Sequence, residues 1–464
     1  MGKQVFSIIL AAGEGTRMKS KRPKVLHQIC GYPIIEYVVR AALEVSDDLP
    51  VVVVGHRAED VKQYLGDRVT YAYQPQQLGT GHAVMMAKPV LEGATGYIVI
   101  LAGDAPLIRG CTLKRIVQHA MEGGYGAVVL SAVVDDPTGY GRIIRNDSGD
   151  LEGIVEHRDA TEEQRRIKEI NSSIYCFDVR LLFSSLEKLD NSNSQGEYYL
   201  PDAIEIMKRQ GAKVGVLVAE DADEVLGINT RIQLAEVDRK MRLRINRFHM
   251  DNGVTIIDPE HTYIGPDVTI GCDTVVYPGN VLEGDTVIGE DCVLYPNNRI
   301  VNSAIGNGVQ LQASVVLNSR IGDSTTVGPY AYLRPGSVIG NGVRIGDFVE
   351  IKNSTVGDGT KISHLTYVGD AEVGKDVNLG CGVVFVNYDG IKKHRTVVED
   401  KAFIGCNVNL VAPVRVGQQA YIAAGSTITE DVPGKALAIA RERQINKEGW
   451  VERRQKKQDT QSHV

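Results

Sequence analysis

Two separate groups of residues in this chain have the types and spacing for chemistry. In the first, Leu10-Ala11-Ala12-Gly13-Glu14-Gly15-Thr16-Arg17 is followed by Pro23-Lys24, so two cations flank a glycine turn. Backbone without side chains can approach a triphosphate closely, while Arg17 and Lys24 neutralise charge developing on the α-phosphate and pyrophosphate. In the second, Arg334, Lys352, His364, Tyr367 and Asn378 recur between Tyr330 and Tyr388. An imidazole titrates near neutrality and can take a proton from an attacking amine, and two cations beside it suit a phosphate. A lone histidine in such a place is more often structural; the surrounding ensemble is what gives it weight.

The first group has other parts. No Gly-Lys-Ser/Thr follows the glycine turn, which excludes a Walker loop, and the dinucleotide fingerprint matches only at Gly13 and Gly15. Gln74-Pro75-Gln76-Gln77-Leu78-Gly79-Thr80-Gly81-His82 is a polar loop whose amides could read a pyrimidine edge. His82 reads as a helix cap or packing residue as readily as a base contact. Ala102-Gly103-Asp104 ends an apolar run, a normal place for a metal carboxylate and equally for an aspartate that caps a helix.

The elements that must hold these groups differ between the two halves. Val5–Leu10, Val51–Val54, Ile98–Leu101 and Ala127–Val133 are short apolar runs that alternate with helical patterns, which predicts a mostly parallel α/β sheet. From Ile264 to Ile428 an aliphatic returns every sixth residue, with phase slips: Ile264, Ile270, Val276, Leu282 and onward, then restarts through Leu311, Leu317 and Ile321. Six is even, so on extended backbone these side chains share one face, and a 3.6 period does not fit them. Such units bury a core only by stacking, which predicts a parallel β-helix. Between the halves, Ile232, Leu234, Val237, Met241, Ile245 and Phe248 return at helical spacing. The expected organisation is therefore 1–229 as an α/β domain, 230–251 as a connecting helix and 252–450 as the β-helix, with 451–464 as a polar, disordered tail.

A formal charge of −7 argues against a general nucleic-acid binder, and 43% hydrophobic with 23% charged residues is the balance of a soluble globular protein. No run is long and apolar enough for membrane insertion. Seven scattered cysteines without Cys-x-x-Cys suggest reduced, buried thiols and a cytoplasmic location.

The string from Leu10 to Ile35 resembles the signature of sugar-1-phosphate nucleotidyltransferases, and the six-residue repeat resembles that of hexapeptide-repeat acyltransferases. The first resemblance implies that Leu10, Ala11, Ala12 and Gly13 hold a nucleotide, with Arg17 and Lys24 acting on its phosphates. Gln74, Gly79 and Thr80 would read uracil, and Asp104 with Asn229 would bind Mg²⁺. Ala102 stands before Gly103 where that family often has tyrosine. Gly141, Glu156 and Asn171 would bind an N-acetylhexosamine phosphate, and Ser173 stands where glycine is more usual. The second resemblance implies a left-handed coil, a homotrimer, and similarity to the glucosamine-1-phosphate acetyltransferase domain. On that similarity Arg334, Lys352, Tyr367 and Asn378 bind sugar phosphate, and His364 is the base. Asn387 and Tyr388 meet the acetyl donor, while Cys381, Cys406, Ala424 and Arg441 line the coenzyme A site. The insertion Ile391–Asp400, with Lys392, Lys393 and Arg395, suits coenzyme phosphates.

Together these imply an enzyme that acetylates glucosamine 1-phosphate with acetyl-CoA and then transfers UMP from UTP to the product. Two other readings fit parts of the pattern. One is a single-function nucleotidyltransferase whose β-helix serves assembly or regulation, which His364 with Asn387-Tyr388 opposes. The other is a non-enzymatic assembly subunit, which Arg17, Lys24 and Asp104 oppose.

Overall fold

A computed structural model describes residues 4–461. The chain forms two compact units that divide between Arg244 and Ile245.

The first unit is built on one mixed sheet. Its strands are β1 (Gln4–Ala11), β2 (Val51–Val54), β3 (Thr70–Tyr73), β4 (Gly96–Ala102), β5 (Ala127–Val133), β6 (Gly141–Arg145), β7 (Leu151–Val155), β8 (Glu169–Asp178) and β9 (Val214–Val218). The order across the sheet is β9-β5-β8-β4-β1-β2-β3, with the β6–β7 hairpin attached to β8. Strands β3, β2, β1 and β4 are parallel, whereas β8 runs antiparallel to both β4 and β5. Val51–Val54 is buried throughout, as a valine run covered on both faces should be. Alternate side chains of β1 and β4 feed different cores: Ile9 and Val99 on one side, Ile8 and Ile98 on the other.

The second unit is a left-handed parallel β-helix whose strands stack into three faces of 11, 10 and 9 strands. The first face begins at Thr255–Ile256, the second at Tyr263–Ile264 and the third at Thr269–Ile270. The coil therefore starts before Ile264 and continues past Ile428 to Leu437–Ala438. The sixfold aliphatics fill its axis: Leu282, Leu294, Ile351 and Ile362 are fully buried. Each contributes about 1.5–3 kcal/mol by leaving water. One expected core residue is misplaced. Val316 points inward and Leu317 outward, because the corner after Leu311 is one residue short. Polar residues buried at the corners satisfy the turning backbone; Asn298 Nδ2 donates to Asn280 Oδ1 at 2.9 Å and to Tyr295 O at 2.6 Å.

Three further expectations change. In the helix Arg231–Asp251, Val237 and Met241 are buried, but Ile232 and Phe248 are exposed; the buried face also uses Asn246 and His249. Asn246 earns its burial by donating to Pro259 O and Thr262 O. The polar C-terminal stretch forms a helix, Trp450–Gln461, rather than an irregular tail, and its end, 462–464, lies outside the described residues. Of the cysteines, only Cys176 and Cys292 are buried, while Cys111, Cys272 and Cys406 are exposed.

Candidate active sites

In the first unit, the carboxyl ends of β1 and β4 lie side by side, with Leu10 opposite Ala102 and Gly103 N donating to Leu10 O at 2.9 Å. This brings Leu10, Ala11, Ala12, Gly13, Ala102 and Asp104 to one cleft of about 470 Å³, which Arg17, Lys24, Gln74, Gly79, Thr80 and Asn229 also line. Lys24 Nζ bonds Asp104 Oδ2 and reaches Asn229 Oδ1 at 3.2 Å, and Arg17 Nη2 donates to the same Asn229 oxygen at 2.9 Å. A carboxylate and an amide oxygen thus converge on one cationic centre. That donor set fits a hard divalent cation, which takes few protein oxygens and completes its shell from water and phosphate. Asn229 is held by Gln233 Oε1, which accepts from its backbone N–H at 2.8 Å.

The polar loop is sewn to the segment before the helix Leu200–Arg209. Tyr198 N donates to Leu78 O, Gly81 N to Tyr198 O, and Leu200 N to Thr80 Oγ1. Residues 196–202 form this strap. Gly79 adopts φ +106°, and a Cβ there would lie 2.6 Å from Tyr198 O. Gln74 is buried, with its amide nitrogen donating to Gly79 O at 3.2 Å and to His82 Nδ1 at 3.0 Å.

Gly141, Glu156 and Asn171 form a second cluster. Asn171 pairs with Gly141 across β8 and β6, and a Cβ on Gly141 would sit 3.3 Å from Glu156 Oε1. Burial raises the Glu156 carboxyl above its usual range, reinforced by Asp159, Asp202 and Glu197. Asn171 Nδ2 donates to Tyr175 Oη, and Ser173 N donates to Asn171 Oδ1, across a bulge in β8. Ser173 has φ +62°, which explains why glycine suits that position. Ser173 lines the first cleft and the other three residues do not, so they sit beyond it.

In the β-helix, Leu333 stacks on Ile351 and Lys352 on Gly369, so Arg334, Lys352 and Gly369 form one ladder along the second face. The missing side chain at Gly369 is filled by Tyr367 Oη and Asn387 Nδ2; a Cβ there would collide with the hydroxyl. Behind the ladder lies Asp370, 9% exposed and absent from the sequence reading. It accepts from Asn353 Nδ2 at 2.7 Å, Asn387 Nδ2 at 2.6 Å and Lys352 Nζ at 3.2 Å. Arg334 donates to Glu350 at 2.8 Å. Lys393 of the inserted loop stands beside Lys352, whose charge holds the Lys393 ammonium below the usual lysine range.

His364 ends a first-face strand, and its Nδ1 donates to Asp347 Oδ1 at 2.6 Å, one coil below. Asp347 thereby fixes the tautomer that leaves Nε2 as the base. The same corner continues upward through Cys381, Cys406 and Ala424. Asn407 N donates to Cys381 O and Gly425 N to Cys406 O, and Arg441 Cδ lies 3.8 Å from where a Gly425 Cβ would be. Asn378 is not brought to the Arg334 ladder: it stacks on Lys361 in the first face. Tyr388 is exposed, and both hydrogens of the Asn387 amide are engaged, by Asp370 and, at 3.3 Å, by Tyr367. Asp347 and Asp370 carried no sequence signal, because each acts through register with a residue on a neighbouring coil.

An α/β sheet that gathers cations and hard oxygens at its strand ends, joined to a β-helix that carries an imidazole–carboxylate pair, defines a two-site transferase. Its units are those of a nucleotidyltransferase and a hexapeptide acyltransferase. Residues 7–193 match the MobA-like NTP transferase domain, and residues 318–353 match the bacterial transferase hexapeptide of six repeats. The chain is similar to the bifunctional protein GlmU of Acetivibrio thermocellus, 58% identical over 447 residues (96% of this chain, 97% of the relative). It is similar also to those of Caldanaerobacter subterraneus subsp. tengcongensis, 57% over 455 residues (98% and 99%), and Geobacillus thermodenitrificans, 56% over 448 residues (97% and 98%). The chain belongs to the family of bifunctional GlmU proteins.

Proposed function

We propose that the chain makes UDP-N-acetylglucosamine by two successive reactions on separate sites. The second unit, with 252–450 as its working domain, moves the acetyl group of acetyl-CoA to the amine of glucosamine 1-phosphate. Arg334 and Lys352 bind the sugar phosphate, with Tyr367 orienting the ring. His364 Nε2 takes a proton from the neutral amine as its lone pair attacks the thioester carbonyl, Asp347 stabilises the imidazolium that forms, and the imidazolium gives the proton to the departing thiolate. With the Asn387 side chain committed to Asp370, the Tyr388 peptide N–H is the donor for the oxyanion. The thiol of coenzyme A leaves along the Cys381–Cys406–Ala424 corner, with Arg441 at its far end. No cysteine is acylated in direct transfer. Asn378 belongs to this site through a neighbouring copy in a homotrimer, which places an outward first-face residue against a second chain.

The first unit, within 1–229 and followed by the 230–251 helix, then joins the product to UTP. The phosphate oxygen of N-acetylglucosamine 1-phosphate attacks the α-phosphorus, and pyrophosphate leaves. Leu10–Gly13 hold the nucleotide and Gln74, Gly79 and Thr80 the uracil. Gly141, Glu156 and Asn171 hold the acetylated sugar. Asp104 and Asn229 hold Mg²⁺, which when bound neutralises charge on the phosphates. Arg17 and Lys24 do the same from the protein side, so positioning and charge supply most of the rate. Among the described residues no helix is long and apolar enough to cross a membrane, which agrees with a cytoplasmic enzyme on soluble substrates.

The observation that carries this reading is the His364–Asp347 pair on the first face together with the two-cation ladder on the second, neither of which a β-helix used only for assembly would need. Incubation with glucosamine 1-phosphate, acetyl-CoA, UTP and Mg²⁺ tests it. Free thiol and pyrophosphate should both appear, the second only after the first. Pyrophosphate release that ignores acetyl-CoA would favour the single-function enzyme.

A further inference from the structure

The nucleotide cleft contains a residue whose placement decides which pyrimidine it accepts. Gln74 is 3% exposed, and its amide can face the cleft with either its oxygen or its nitrogen. A carboxamide presents an acceptor one way round and a donor the other, so the two orientations select opposite base edges. Uracil offers a donor at N3–H; cytosine offers an acceptor at the same atom.

Two groups fix the orientation. Gly79 O accepts one hydrogen of Gln74 Nε2 at 3.2 Å, and His82 Nδ1 accepts the other at 3.0 Å. A carbonyl can only accept. The amide nitrogen can only donate, so Nδ1 of His82 must carry the lone pair and its proton must reside on Nε2. With both hydrogens used inside the protein, Oε1 is the atom left to the cleft that Gln74 lines. Turning the amide round would set Oε1 against the Gly79 oxygen, a repulsive contact, and would require the His82 proton to move from Nε2 to Nδ1. His82 is placed for this by the first turn of the helix Thr80–Ala87 and by its ring lying 6.4 Å from that of Tyr198. The strap that carries Tyr198 therefore sets the loop and the histidine together.

We propose that His82 is a positioning residue for base specificity: it locks the Gln74 amide so that only an acceptor faces the base, which admits uracil and rejects cytosine. This rests on the assignment of Gln74 to the nucleotide base. His82 touches no substrate and acts through Gln74 alone.

The test uses the full-length enzyme with UTP and CTP as competing nucleotides, N-acetylglucosamine 1-phosphate as acceptor, and pyrophosphate release as the signal. His82→Phe keeps an aromatic ring beside Tyr198 and removes the acceptor. The ratio of kcat/KM for UTP over CTP should fall by about ten-fold, the weight of one hydrogen bond with a buried partner. Most of the change should come from a gain with CTP. His82→Gln restores an acceptor oxygen and should recover part of the ratio, which a packing role would not require. A ratio unchanged in His82→Phe, with both nucleotides slowed equally, overturns the role of His82 and leaves the base assignment standing. A wild-type enzyme that does not favour UTP over CTP overturns the base assignment, and this inference with it.

Discussion

Asp370→Asn is the change that most directly separates an organised acetylation site from a decorated scaffold. The native carboxylate accepts from Asn353, Asn387 and Lys352 while only 9% exposed. Asparagine keeps one acceptor oxygen and turns an N–H₂ toward Asn353 or Asn387, so a donor then faces a donor. A hydrogen bond to a charged group contributes about 1.5–3 kcal/mol, and one such bond is lost outright. Taking about 2–3 kcal/mol in total, kcat/KM for acetyl transfer should fall about 30- to 150-fold. The loss should appear mainly as a raised KM for glucosamine 1-phosphate, because Lys352 and the Tyr367–Asn387 contact lose their anchor. Thiol release measures it, and pyrophosphate release by the same preparation is the internal control. Acidity gives a second signature. Burial alone would raise the Asp370 carboxyl, but Asn353 and Lys352 more than offset it and hold it below the usual aspartate range. A lowered carboxyl stabilises the site above its unfolded value of about 3.9, and that contribution is lost as pH falls through the folded value. The variant should lack this acid limb. A kcat/KM within about three-fold of wild type would refute the reasoning, since it would mean that the hub does not position the ladder.

The remaining predictions address other parts of the chain. His364→Ala should cut thiol release by about 10²- to 10⁴-fold and leave pyrophosphate release from UTP and N-acetylglucosamine 1-phosphate at its wild-type rate. Loss of both in a folded protein would contradict separate sites. Gly79→Ala places a Cβ 2.6 Å from Tyr198 O at φ +106°, a strain of about 1–3 kcal/mol, so uridylyl transfer should weaken about 5- to 150-fold through KM for UTP. Unchanged kinetics would show that the strap does not shape the base pocket. The peptide N–H groups of Lys392 and Ile391 and the ring of His394 hold the Asp389 carboxyl down at about 2. The ordering of the inserted loop should therefore persist above the unfolded value of about 3.9 and be lost only as pH falls through the folded one. A carboxyl titration by NMR checks this, and an ordinary midpoint would remove the capped-loop account.

Much of the architecture was written in local pattern. A sixfold aliphatic return allows only extended segments that share an inward face, and the apolar runs followed by glycine turns define the strand ends of the first unit. Arg17, Lys24, Asp104 and Gln74 were visible because a phosphate or a base edge needs those side-chain types after such strands. The slip at Val316–Leu317 was not visible, because one deleted corner residue moves the phase without changing the composition. The exposed Ile232 and Phe248 show the same limit in the helix Arg231–Asp251, where helical spacing names a stripe and only packing says how much of it is covered. Tertiary structure alone paired Asp347 with His364 and set Asp370 between Lys352 and Asn387, because a coil brings together residues about seventeen apart that share no local motif. It also gave His82 its partner Gln74, since a histidine's role depends on which group its ring nitrogen meets, and no spacing in the chain records that.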